Sequence, residues 1–121
     1  MALVLVIEDN PANMKLAVFL MTVAGHEVLQ AVDAEVGIAL ARERHPKLIL
    51  MDIQLPGMDG LAATQLLKAD AATSDIKIIA LTALAMSGDR QKIEAAGCDG
   101  YLAKPIRYHE LLKLVASIMP F

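Results

Sequence analysis

The amino-acid sequence predicts a three-layer α/β domain built on a five-stranded parallel sheet, and three observations carry that prediction. Short apolar runs alternate with helix-length segments from one end of the chain to the other. Most of those runs stop abruptly at a polar residue. The 121 residues, 56% hydrophobic and 21% charged, suit one folded unit with one sizeable core rather than a disordered chain.

Taken in order, "LVLVI" (3–7) reads as the first strand, ended by Glu8-Asp9-Asn10. Asn10 suits a helix cap and Pro11 the first helical turn, so a helix is expected to about Ala24, where Gly25 stops it. "EVLQA" (27–31) is a shorter, more mixed strand. A helix over about 34–44 follows and is closed by His45-Pro46. "LILM" (48–51) is an apolar run of the kind buried on both faces of a parallel sheet, and "DIQLPG" then turns the chain. A helix over about 60–69 leads into the polar loop "DAATSD" and the fourth strand "KIIAL" (77–81). The next helix spans about 87–96 and ends at Gly97. "GYLA" (100–103) is the fifth strand, and "YHELLKLVASIM" (108–119) the last helix, with Leu111, Leu112, Val115, Ile118 and Met119 at helical spacing. No linker, internal repeat or low-complexity segment interrupts the pattern, so residues 1–121 are expected to form a single domain.

The bulk numbers exclude some functions. A net charge of -3 and a pI near 5.5 leave no basic field for a nucleic-acid backbone. No apolar run approaches the roughly 20 residues that cross a bilayer. The start "MALVLVIEDN" lacks a signal peptide's basic region and cleavage site. A lone Cys98 fits a reducing compartment, and the expected location is the cytoplasm. Cys98 is expected to be a small packing residue, the seven methionines mostly core, and His26, His45 and His109 surface residues.

Ligands of open parallel sheets bind beyond the carboxyl ends of the strands, where the strand order reverses. Those ends carry Glu8 and Asp9, Asp52, Thr82 and Lys104, while strand two is followed by Val32 and Asp33. If strand two lies at an edge, in the order 2-1-3-4-5, the other four ends converge on one pocket. Three carboxylates there sum to -3, Lys104 returns +1, and a divalent ion would supply the remaining +2. All-oxygen ligands favour a hard ion, Mg²⁺ or Mn²⁺. A metal, an ammonium and a hydroxyl around an open carboxylate are the charge-neutralising equipment of phosphoryl transfer. Asp52 could itself be the nucleophile, forming an acyl phosphate.

The stretches "VIEDN", "LILMDIQLPGMDG", "LTA" and "YLAKPI" resemble the receiver domains of two-component response regulators, in family order and spacing from residue 3 to the last helix. "EDNPANMKL", "MDIQLPGMDGL" and "GC" before "YLAKPI" look most like stand-alone regulators of the DivK type and the receivers of hybrid histidine kinases. The resemblance implies a flavodoxin-like (βα)₅ fold and a phosphorylation-controlled signalling switch with no output domain. Asp52 would accept a phosphoryl group from a histidine kinase or histidine phosphotransfer protein. Asp9, Asp52 and the Gln54 backbone carbonyl would ligate Mg²⁺, and Glu8 would act through a metal-bound water. Lys104 would pair with the phosphoryl group, Thr82 would move to hydrogen-bond it, and Tyr101 would rotate inward behind Thr82. The peptide before Pro105 would be cis, and Gln54 and Leu84 would tune loss of the phosphoryl group. The downstream partner would be a protein, with no direct DNA binding and no membrane insertion.

Glu8 stands where many relatives carry a second aspartate, a mild departure that leaves metal binding expected. Competing readings fit less well. A haloacid-dehalogenase-type phosphatase places an acid–base aspartate two residues after its nucleophile, where this chain has Gln54. A flavin or nucleotide binder needs a phosphate-cradling loop after strand one, but "EDNPAN" has no glycine. A fragment of a hybrid kinase would read the same way. Chemistry on its own phosphoryl group is expected, but no enzyme acting on an outside substrate.

Overall fold

The structure, a computed structural model, describes residues 2–83 and 87–119. Strands β1 (Leu3–Ile7), β2 (Glu27–Ala31), β3 (Leu48–Asp52), β4 (Lys77–Thr82) and β5 (Gly100–Ala103) form one parallel sheet in the order β2-β1-β3-β4-β5. Helices α1 (Pro11–Val23), α2 (Ala34–Arg44), α3 (Gly60–Ala69), α4 (Ser87–Ala96) and α5 (Tyr108–Ile118) connect them. The expected fold class and strand order are those observed. β3 and β4 each run one residue further than their apolar cores, so Asp52 and Thr82 end strands rather than begin loops. Leu84 lies outside the described residues.

Alternation along the strands sorts the core into two layers. Val4, Val6, Leu48, Leu50, Ile79 and Leu81 face α1 and α5, and pack on Leu20, Met21, Leu111 and Val115. Leu5, Ile7, Ile49, Met51 and Ile78 face α2 and α3, and pack on Ile38, Ala41, Ala63 and Leu67. Because β1, β3 and β4 are interior strands covered on both faces, they are apolar between their ends, whereas the edge strand β2 tolerates Glu27 and Gln30 on its surface. Truncating Leu50, which has no exposed surface, is expected to cost about 2–5 kcal/mol of stability, measurable as a lower urea midpoint at unchanged slope.

Side-chain caps set three helix starts. Asn10 accepts from the amides of Ala12 and Asn13 at 2.9 and 3.1 Å, Asp33 from Val36 at 2.8 Å, and Asp59 from Ala62 at 2.8 Å. α1 stops at Val23, and Gly25 takes φ 93° to turn the chain into β2.

One expectation fails at His26, which is half-buried rather than on the surface. Its Nδ1 accepts the Ala2 amide at 3.1 Å, while Ala2 O accepts the Glu27 amide, so the ring is part of the joint between β1 and β2. Burial accordingly lowers its pKa. His45 and His109 are exposed, the former holding φ 44° at the end of α2 with Nε2 2.9 Å from Asp75 Oδ1. Met14, Met21, Met51 and Met119 are buried in the core. Cys98 is half-buried against the α2–α3 layer, its Sγ 3.9 Å from Thr64 Oγ1.

Candidate functional site

The carboxyl ends of β1, β3, β4 and β5 are neighbours in the sheet, and the polar residues that follow the apolar runs therefore meet. Glu8 continues the ladder beyond Ile7, its amide donating to Ala31 O at 3.0 Å, which directs the chain along β2 before it turns into α1. Asp52 closes β3 opposite Leu81 of β4, one residue beyond the Ile7–Met51 pair. Glu8 and Asp52 are buried, at 1% and 2% exposure, while Asp9 faces solvent. One carboxylate oxygen from each of the three lies within 4.8 Å of the others.

Lys104 comes from the opposite side. Its backbone amide donates to Thr82 O at 2.7 Å, tying it to the end of β4, and the Lys104–Pro105 peptide is cis. The side chain reaches across that strand end and places Nζ 2.8 Å from Glu8 Oε1 and 3.1 Å from Asp52 Oδ1. Asp52 Oδ1 also accepts the Gln54 amide at 3.0 Å, and Glu8 Oε2 accepts the Asn10 amide at 3.2 Å. Thr82 is buried at the end of β4 beside Ala103. Tyr101 is half-buried two residues earlier on β5, and the Arg90 guanidinium sits over its ring at 5.7 Å.

Two buried carboxylates share one ammonium, and their protonation divides accordingly. Burial, reinforced by the neighbouring Asp52, pushes Glu8 up to about 7. Burial would raise Asp52 as well. The hydrogen bond with Glu8, the Gln54 amide and Lys104 outweigh it and hold Asp52 below the ordinary carboxylate range. Burial opposes the charge of Lys104, but the two carboxylates keep its pKa above that of a free lysine. Asp52 is therefore the first of the two to ionise as pH rises, and Glu8 holds its proton to higher pH.

These residues fit a divalent metal. The donor set is oxygen only, which suits a hard ion. Glu8 Oε1 is buried without a hydrogen bond, its contact with Lys104 being a charge pair outside hydrogen-bond geometry. A buried carboxylate oxygen in that condition gains from a cation.

Of the residues that follow the strands, Glu8, Asp9, Asp52 and Lys104 come into one cluster. Within it the Lys104 ammonium faces the carboxylate cluster, pairing with both Glu8 and Asp52. The sequence reading passed over Gly60, the first residue of α3, whose backbone lies against that of Asp52. The glycine directly after the Asp59 cap in "GMDG" was the available signal.

Comparisons with known proteins show the family and the fold. Residues 4–116 match the response regulator receiver domain family. The polar-differentiation response regulator DivK of Brucella ovis is 42% identical over 116 residues, covering 96% of this chain and 94% of that protein. Among solved structures, the receiver domain of a sensor histidine kinase from Pseudomonas aeruginosa superposes with a TM-score of 0.89 at 34% identity, covering 97% of this chain and 96% of that one. That structure has a magnesium ion coordinated in its active-site cleft. The Vibrio cholerae chemotaxis protein CheY4 superposes with a TM-score of 0.92 at 26% identity, covering 98% and 99% of the two chains.

Proposed function

Because the chain belongs to the response regulator receiver domain family of two-component signalling, we propose that it is a phosphorylation-controlled switch whose acceptor is Asp52. The observation that carries this reading is the buried Asp52 carboxylate, held at the end of a strand beside a lysine and two further carboxylates.

In the proposed reaction a carboxylate oxygen of Asp52 bonds to phosphorus as the N–P bond of a phosphohistidine breaks. The bonding pair returns to the imidazole of a partner kinase or phosphotransfer protein. Asp9, Asp52 and the Gln54 carbonyl would hold Mg²⁺ directly and Glu8 through a water. The bound ion supplies positive charge for the transferring phosphoryl oxygens. Lys104 would pass from its carboxylate partners to the new phosphoryl group, and the Thr82 hydroxyl would donate to it. The added charge is rewarded only in the conformation that brings Thr82 and Lys104 to it, so the modification shifts a two-state equilibrium. Tyr101, on the strand beside Thr82, would follow inward and give up its contact with Arg90. The output is then contact with a downstream protein through a changed surface. The reaction alters the chain itself and yields no outside product, apart from release of its own phosphate. Among the described residues, no helix is long and apolar enough to cross a membrane.

Intact mass after incubation with acetyl phosphate tests the reading. The expected result is a magnesium-dependent gain of one phosphoryl group. Wild-type protein that neither gains mass nor binds beryllofluoride would overturn it in favour of a phosphate-independent binding role.

Magnesium binding should also depend on pH. Glu8 is raised to about 7, so below that value the ion must displace a proton from the cluster. Affinity is expected to weaken by up to about tenfold for each pH unit below 7 and to level off above it. Calorimetric titration across that range checks this, and an affinity flat between pH 6 and 8 would contradict the assignment of the proton to Glu8.

A further inference from the structure

We propose that Gly60, eight residues beyond Asp52 and outside the carboxylate cluster, is a positioning residue for Asp52 and for the turn that carries the Gln54 carbonyl; the inference rests on the function proposed above. The chain leaves β3 at Asp52, runs through "IQLPGMD" and returns at Gly60, the first residue of α3. It returns to the backbone it left. A Cβ on Gly60 would fall on the carbonyl oxygen of Asp52, and would lie 2.6 Å from the Ile53 Cα and 2.9 Å from the Asp52 carbonyl carbon. These are backbone atoms, not the flexible end of a side chain, so they cannot yield without moving the end of β3.

The contact is held from both sides. The Gly60 amide donates to Ile53 O at 3.2 Å, closing the turn at its neck, and the Ile53 amide donates to Leu81 O at 3.2 Å, pinning the neck to β4. On the helix side, the buried Thr64 hydroxyl donates to Gly60 O at 2.8 Å, and the Asp59 cap fixes the first turn of α3. Within the turn, the Gln54 amide donates to Asp52 Oδ1 at 3.0 Å. The height of α3 above the end of β3 therefore sets where the Asp52 carboxylate and the Gln54 backbone stand relative to Glu8, Asp9 and Lys104. Any side chain at position 60 would pry the turn open and spread the proposed ligands. Gly60 touches none of the reacting atoms and acts through Asp52.

Gly60→Ala tests this beside Gly100→Ala. At position 100 a Cβ would crowd the Leu114 side chain at 3.0 Å, at the opposite end of the sheet. All three proteins are compared at a temperature where circular dichroism shows them folded. Gly60→Ala is expected to bind magnesium about tenfold or more weakly and to phosphorylate more slowly from acetyl phosphate even at saturating magnesium. Gly100→Ala should keep wild-type affinity whatever its loss of stability. Wild-type affinity in Gly60→Ala, or an equal loss in both variants, overturns the inference while leaving the proposed function standing. Failure of the wild type to bind magnesium overturns the proposed function, and this inference with it. Should Gly60→Ala not fold, hydrogen exchange on the wild type decides. Magnesium should slow the Gly60 amide more than the Leu111 amide in α5, and equal slowing of the two overturns the inference.

Discussion

Replacing Asp52 with asparagine is expected to abolish phosphoryl acceptance and, at the same time, to make the metal-free protein more stable. An amide oxygen is too poor a nucleophile to form the acyl phosphate. Asparagine keeps the shape and the acceptor that the Gln54 amide uses, so the turn after β3 has no reason to open. Electrostatics gives the sign of the stability change. Glu8 and Asp52 are both buried and share the single ammonium of Lys104. Above the Glu8 pKa of about 7, where both carboxylates are ionised, removing the charge at position 52 ends their repulsion and leaves Lys104 to Glu8 alone. A gain of about 1 kcal/mol is the expected size, the equivalent of roughly one pKa unit of relieved repulsion on Glu8. Urea denaturation without magnesium measures it. A less stable variant would mean that the Asp52–Lys104 attraction outweighs the repulsion from Glu8. Any phosphoryl gain in the variant would place the acceptor elsewhere.

Lys104→Met is expected to act in the opposite direction. The lysine side chain is 16% exposed and its partners Glu8 and Asp52 are 1% and 3% exposed, so all three are largely shielded from water. Methionine fills much the same volume but leaves two buried carboxylates with no protein cation between them. Breaking a buried pair from one side costs roughly 3–5 kcal/mol, and the lower end applies because Glu8 can respond by holding its proton. Magnesium should return part of that loss, since it would bring charge to the same oxygens. Denaturation with and without the ion reads both effects. A larger magnesium-induced stabilisation in Lys104→Met than in the wild type is the expected pattern, and equal stabilisation would separate the lysine from the metal cluster. Phosphorylation, where it still occurs, should no longer shift the protein's conformation, because the ammonium that rewards the new phosphoryl group is gone.

Much of this is legible in the sequence. The run "LILM" had to be an interior strand because nothing polar interrupts it, and Asn10-Pro11 had to start a helix because one residue caps and the other removes an orphan amide. The helix starts at Asp33 and Asp59 follow the same local logic, in which a short polar side chain bonds to an amide two or three residues on. The list of site residues was legible for a different reason. Ends of parallel strands share one edge of the sheet, so a polar residue after each apolar run is already placed in space once the strand order is known.

What stayed hidden depends on distances between segments far apart in the chain. His26 looks like any loop histidine until β1 and β2 pair and bring the Ala2 amide to its ring. Lys104 could be assigned to the pocket, but its choice of Glu8 and Asp52 as partners is set by how far its side chain reaches past the end of β4. The raised pKa of Glu8 follows from that packing, because a carboxylate feels desolvation and a neighbour's charge only after the fold has excluded water. Gly60 shows no special φ, and its necessity is the return of the chain to the Asp52 carbonyl. The sequence by itself therefore determined the elements, their order and the identity of the groups at the sheet edge, since periodicity, capping and turn chemistry act within a few residues. The tertiary structure alone decided which group holds the proton, which carboxylates hold the ammonium and how closely α3 may approach, since each is fixed by separations that no local pattern records.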